Sequence, residues 1–241
     1  MKIALIAGLA ISGAASAQIL PGVVGDPFAD GSLSGTNFGP TLWDQQPDPA
    51  QPGFIDQAFG DFLSFSTYTV SDVSFGSGVT INDITTYYTN LNGIWGGIGA
   101  ASATLNIFPK GGTLPGAGDD PTTGTSVAVN ISTGANGVEV HASGLNIALA
   151  AGDYWVGLTP ELNFGTFGQE FLQGSANIQG DASASRNPGG GFGVGTDWVD
   201  SGATFGGIAD WNGAITILGT PAPGTLALLG LGGLVATRRR R

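Results

Sequence analysis

The sequence predicts an all-β fold, an antiparallel β-sandwich of jelly-roll type, with a signal peptide before it and a short C-terminal membrane helix after it. Three observations predict this. Apolar and polar residues alternate with a period of two through most of residues 61–220, which is the pattern of strands with one buried face. The 43 glycines follow no three-residue repeat, so they read as turns and loops between short strands rather than as a fibrous repeat. Apolar residues at helical spacing occur only at the two termini. With 241 residues, 41% of them hydrophobic, the chain is long enough to bury a substantial core.

Along the chain, residues 1–17 open with Lys2, continue as an apolar stretch from Ile3 to Ile11, and end in Ala15-Ser16-Ala17. That order is the one a secretory signal requires, with Gln18 as the first mature residue. Residues 18–60 are rich in Pro, Gly and Asp and read as a loop-rich lead-in with room for one strand. The predicted domain, residues 61–220, carries the alternating runs. They are Val73 and Phe75; Val79 and Ile81; Ala103, Leu105 and Ile107; Val127, Val129 and Ile131; Val138, Val140 and Ala142; Leu145, Ile147 and Leu149; and Tyr154, Val156 and Leu158. The stretch "LAAGDYWVGL" predicts a hairpin leading into a late strand. Past Leu162 the alternation loosens, but Phe164, Phe167, Phe171, Phe192 and Trp198 are too many large apolar groups for a solvated linker, so ordered loops are expected.

Charge narrows the function classes. Outside residues 1–17 and the last four positions, only Lys110 and Arg186 stand against 18 acidic residues, a net charge of −16. Such a surface repels phosphate backbones, which excludes nucleic acid as a partner. Cysteine is absent, which excludes thiol catalysis and Cys-ligated metals.

No catalytic constellation emerges, and a non-enzymatic protein is expected. The single histidine, His141, shares a strand face with Glu139, and nothing marks a nucleophile for it to serve. Carboxylates are so numerous that a pair at glycosidase distance carries no information, so a polysaccharide hydrolase is the weakest alternative. Asp119, Asp120 and Asp210 stand in Gly- and Asn-containing loops and are candidate calcium ligands through oxygen. Trp95, Trp198 and Trp211 are candidate glycan contacts, because an exposed indole stacks on a sugar ring. A carbohydrate-binding module holding exopolysaccharide is therefore the main alternative function.

The C-terminus is the most specific feature. Residues 225–237 carry no charge and as a helix would extend about 20 Å, short of a hydrocarbon core of about 30 Å. Arg238, Arg239, Arg240 and Arg241 follow directly, as expected on the cytoplasmic side of a membrane stop. Ahead of the apolar run stands Pro221-Ala222-Pro223-Gly224. A proline pair, a short Leu/Gly-rich helix and a terminal arginine cluster behind a signal peptide resemble the bacterial PEP-CTERM sorting signal, with Ala222 where the family usually has Glu. The resemblance implies recognition by an exosortase-type membrane protease, cleavage near the prolines, and a membrane-anchored intermediate at the inner membrane. It further implies delivery to the cell surface or extracellular matrix. The expected role is structural or adhesive, and no cofactor is required beyond the candidate calcium.

Overall fold

The computed structural model of the chain describes residues 39–90, 99–134 and 137–222. These residues are mostly antiparallel strand. In chain order the strands are β1 (Thr41–Gln45), β2 (Phe54–Ile55), β3 (Tyr68–Phe75), β4 (Val79–Asn90), β5 (Gly99–Pro109), β6 (Thr125–Gly134) and β7 (Gly137–Leu149). They continue with β8 (Gly152–Pro160), β9 (Glu170–Leu172), β10 (Gly174–Ser175), β11 (Ala184–Arg186), β12 (Val199–Asp200), β13 (Asn212–Gly213) and β14 (Ile215–Pro221). Two short helices, α1 (Phe164–Phe167) and α2 (Ser201–Phe205), interrupt the later part. No helix among the described residues is long and apolar enough to cross a membrane.

Twelve strands form one curled sheet, ordered β1-β14-β4-β7-β6-β5-β8-β3-β11-β12, with β9 beside β4 and β2 beside β9. The pairings are nested: β3 with β8, β4 with β7, and β5 with β6. Strands β5, β6 and β7 meander and β8 returns beside β5, the order of a Greek key. One sequence expectation is corrected here. The stretch "LAAGDYWVGL" is not a hairpin, because β7 pairs with β4 and β6 whereas β8 pairs with β3 and β5. The short connection at residues 150 and 151 is an arch between separated strands, and so is the turn at residues 76–78 between β3 and β4. A tight turn with alternating flanks gives both forms the same local sequence signal.

The segment read as a lead-in is part of the sheet. β1 pairs with β14 and β2 with β9, and Phe54 and Ile55 are buried.

Every alternating run lands in a strand with its apolar members on the inner face. Ile81, Ile84, Val140, Ala142, Val156, Leu158 and Ile217 are at most 1% exposed, and a fully buried aliphatic side chain of this size is worth about 1.5–3 kcal/mol. The inner set steps by three rather than two at Ile81 to Ile84 and at Ala142 to Leu145, which by itself would turn half of each strand outward. Bulges restore the phase. Asn82 has no cross-strand partner where the register jumps from Ile81 opposite Ile147 to Asp83 opposite Ser143, and Gly144 adopts φ +70°, a conformation open to glycine.

A second, smaller core lies on the outer side of β3 and β8. Val70, Trp155, Ala184 and Trp198 pack together there with Phe108 against them. The irregular region after β10 covers them.

Candidate functional site

The two ends of the curled sheet differ in chemistry. At the end where β3 begins and β8 finishes, polar side chains are sealed inside. Asp56 Oδ1 accepts from the Thr69 N–H and the Thr159 hydroxyl, both at 2.8 Å, and Tyr88 Oη donates to Asp56 Oδ2 at 2.5 Å. Burial pushes the Asp56 carboxyl up to about 7, although its three hydrogen bonds pull the other way. Gln57 seals the same end, donating to the Leu162 and Gly168 carbonyls and accepting from the Glu170 N–H. Glu170 itself is 0% exposed, and neither carboxyl oxygen has a hydrogen-bond partner. Burial raises it to about 9, so it is neutral at pH 7.

Two carboxyls with raised pKa values in one region would suit acid catalysis if substrate could reach them. It cannot, since Asp56 is 1% and Glu170 0% exposed, and a general acid must come within hydrogen-bond reach of the group it protonates. They plug the fold.

The opposite end is open. A cleft of about 480 Å³ is lined by Leu105, Ile107, Val127, Leu145 and Ile147, with Asn106 and Thr123–Thr125 at its side. Its size falls in the range of small-molecule sites, but its chemistry is aliphatic. Asn106 is buried, donates to the Pro121 carbonyl at 3.2 Å and leaves its Oδ1 without a partner. A Cβ at Gly124 would sit 2.5 Å from that oxygen, so glycine is needed where the loop crosses the strand. The same end holds the point where the chain leaves the domain: Pro221 lies opposite Val79, and the Ala222 N–H donates to the Gly78 carbonyl at 2.6 Å.

The predicted glycan contacts divide. Trp198 is 6% exposed, stacks edge-on to Phe108 and donates to the Asp119 carbonyl at 2.7 Å. Trp211 is 2% exposed, packs against Phe54 and donates to the Pro52 carbonyl at 2.9 Å. Both indoles are interior, with their N–H groups satisfied inside, and present no face to a sugar. Trp95 lies outside the described residues.

The candidate calcium ligands are spent on turns. Asp119 accepts the Gly116 N–H, while Asp120 accepts the Thr122 N–H and hydroxyl. Asp210 occupies a turn with φ +56°. No three His, Cys, Asp or Glu side chains stand together as a metal site among the described residues. Of the residues predicted to form a sorting motif, Pro221 and Ala222 end the described domain, and Pro223, Gly224 and Arg238 to Arg241 lie outside the described residues, as do the predicted signal-cleavage residues Ala15, Ala17 and Gln18.

Sequence reasoning missed the polar contacts between strands. His141, expected to share a strand face with Glu139, has its Nε2 2.6 Å from Asp83 Oδ1, because the ladder sets Asp83 opposite Ser143 and His141 opposite Thr85, which brings the two residues diagonally together on one face. It also missed the buried acids. The signal was an acid embedded in the apolar run Phe54-Ile55-Asp56-Gln57-Ala58-Phe59. No protein-family model matches the chain, and no curated protein matches it in sequence.

Proposed function

We propose that the chain is an exported cell-surface or extracellular-matrix protein with a non-enzymatic structural or adhesive role, sorted through its PEP-CTERM-like tail. The observation that carries this reading is the position of the motif. The last strand of the sheet ends at Pro221, the first residue of the sorting motif, so the three ordered parts of the tail begin where the domain finishes. A signal placed there can be removed without cutting into the core.

In this reading the curled sheet is a jelly-roll-like sandwich. Its nested pairings are those of a long hairpin rolled up, and its two arches cross between layers. Bonds across the roll support it: the Thr86 hydroxyl and the Tyr88 hydroxyl reach the Leu158 carbonyl at 3.2 and 3.0 Å, from β4 to β8, which three strands separate in the sheet order. The sealed carboxyls and the inward indoles favour a structural role over hydrolysis or sugar stacking.

A C-terminal epitope tag, followed together with an antibody to the domain, tests the proposal. Surface-delivered protein should carry the domain and lack the tag. Retention of the tag would replace sorting and release with a permanent anchor, and accumulation of chain still bearing Met1 would defeat export.

A further inference from the structure

Three of the five large apolar side chains exposed among the described residues stand together: Phe62 at 44%, Leu63 at 73% and Phe164 at 41%. They cap two loops, one leading into β3 and one following β8. Hydrogen bonds fasten the loops. Asp61 accepts the Phe164 and Gly165 N–H groups at 2.9 and 2.8 Å, and the Ser64 carbonyl accepts from the Gly191 N–H and the Asn187 amide at 2.8 and 2.9 Å. Phe164 packs edge-on with Phe62 and with the buried Phe59, at ring-centre distances of 5.6 and 6.0 Å. Single exposed apolar residues are ordinary, but a cluster on a fastened loop tip marks a contact surface.

The chemistry of this knob selects its partner. The Phe62 and Phe164 rings stand at 82° to each other, so they form no flat platform for a sugar ring. The strongly negative charge of the chain between its two ends opposes an anionic lipid surface. An apolar, uncharged hollow suits the knob, and the same chain carries one. The aliphatic cleft opens where β7 draws away from β6: the two pair over Asn130–Gly134 and Gly137–His141, which leaves Val127 on one wall and Leu145 and Ile147 on the other. It holds about 480 Å³ and no charged residue lines it. The knob follows the last residue of β8 and the cleft opens toward the other end of the roll, so a copy cannot fill its own cleft.

We propose that the Phe62, Leu63 and Phe164 knob of one copy seats in the aliphatic cleft of a second copy, joining the domains head to tail. Each joined pair keeps one free knob and one free cleft, so the contact is heterologous and extends into a row instead of closing a symmetric dimer. A contact made by three side chains falls well below the roughly 1,600 Å² of a standard interface. Each junction is therefore weak, and the row holds where many copies are crowded together and contacts act in concert. As a mode of matrix assembly this rests on the structural role proposed above; the contact itself does not depend on sorting.

The absence of cysteine makes the contact directly testable. Full-length chains carrying Leu63→Cys and Leu145→Cys are produced together, reduced, and treated in freshly opened cells with a short bismaleimide. The linked peptides are then counted by mass spectrometry. A Leu145→Cys chain produced with an Ile178→Cys chain reports random collision, because Ile178 is 56% exposed away from the knob. A docked pair holds its two thiols at raised effective concentration, so the 63–145 link should exceed the 145–178 link by at least about 10-fold. Phe62→Asp in the Leu63→Cys chain should remove that excess and leave the 145–178 link unchanged. Links no commoner than random collision overturn the proposal, as do links mainly between two knobs, or an excess that survives Phe62→Asp. Should Leu145→Cys not fold, Val127→Cys on the facing wall takes its place with the same expectation. The C-terminal epitope tag separates this claim from sorting. Chains that keep the tag and still give the 63–145 link defeat sorting alone, whereas delivered chains that lack both tag and link defeat assembly alone.

Discussion

Tyr88 donates its phenolic hydrogen to the Asp56 carboxyl at 2.5 Å, with both side chains 1% exposed. The bond joins β4, third in the sheet order, to the segment after β2, and so ties the early part of the chain across the end of the roll. Tyr88→Phe removes this donor and the contact with the Leu158 carbonyl without changing the shape of the ring. Leaving such buried acceptors unpaired costs about 1–3 kcal/mol. At about 2–4 °C per kcal/mol for a domain of this size, the melting temperature should fall by about 2–12 °C at pH 6. A melt unchanged within a degree would show that the bond contributes nothing net.

The same end of the fold makes stability depend on pH in an unusual direction. Asp56 rises from 3.8 to about 7 and Glu170 from 4.5 to about 9, both because burial disfavours the charged form. A raised carboxyl binds its proton more tightly folded than unfolded. Its stabilising effect is therefore full below the unfolded value and is lost as pH rises, through about 7 for Asp56 and about 9 for Glu170. Asp61 is exposed and Asp120 half-buried, and both are shifted the other way. Backbone hydrogen bonds from Gly165 and Phe164 outweigh the desolvation that would raise Asp61, and the bonds from Thr122 lower Asp120, so their smaller effect is lost only as pH falls below about 4. Thermal melts should show the domain more stable at pH 5 than at pH 9. Glu170→Gln, which removes the buried ionisation, should flatten the part of the curve above pH 7. A melting temperature that climbs from pH 5 to pH 9 would contradict the buried, neutral state of both acids.

How much of this was legible depended on the range of the interaction. The runs from Val73 to Leu158 gave strands and inner faces correctly, because period-two burial is written locally. The steps of three at Ile81 to Ile84 and Ala142 to Leu145 were legible too, and Gly144 marked one of them, but their meaning as bulges needed the partner strand. Pairing order was not legible. The turn before Tyr154 looks the same whether β8 folds back on β7 or crosses the roll to β3 and β5. The tryptophans failed for the same reason: Trp198 and Trp211 sit among Gly, Asp and Asn, and what buries them, Phe108 and Phe54, lies 90 and 157 positions away in the sequence. The pairing of His141 with Asp83 likewise depends on two strands distant in sequence.

Lys110 holds the outer cover to the sheet, which leads to the last prediction. Its ammonium lies 2.7 Å from Asp72 and 2.6 Å from Asp181, and 5.1 Å from the centre of the Trp155 ring. Desolvation alone would lower its pKa, but the bonds to Asp181 and Asp72 outweigh it and raise it. The Asp72 carboxyl also accepts the Asp181 N–H at 2.8 Å, so one lysine and one aspartate fasten the irregular region after β10 onto β3 and β5. That region continues through β11 to Trp198. Lys110→Met leaves Asp72 buried with no cation, and its Oδ1 already lacks a partner. Removing one member of such a pair costs more than removing both, because the survivor stays charged and desolvated. Lys110→Met alone should therefore destabilise by about 1–3 kcal/mol, and Lys110→Met with Asp72→Asn should recover part of the loss. If the cover loosens, Trp198 meets water, and tryptophan emission should shift to the red in the single variant and return toward wild type in the double. Glycan-array binding measured on the same proteins separates the roles of this face: a structural indole gives no sugar binding in any of them, whereas binding that appears only in the loosened variant would show a stacking platform hidden beneath the cover.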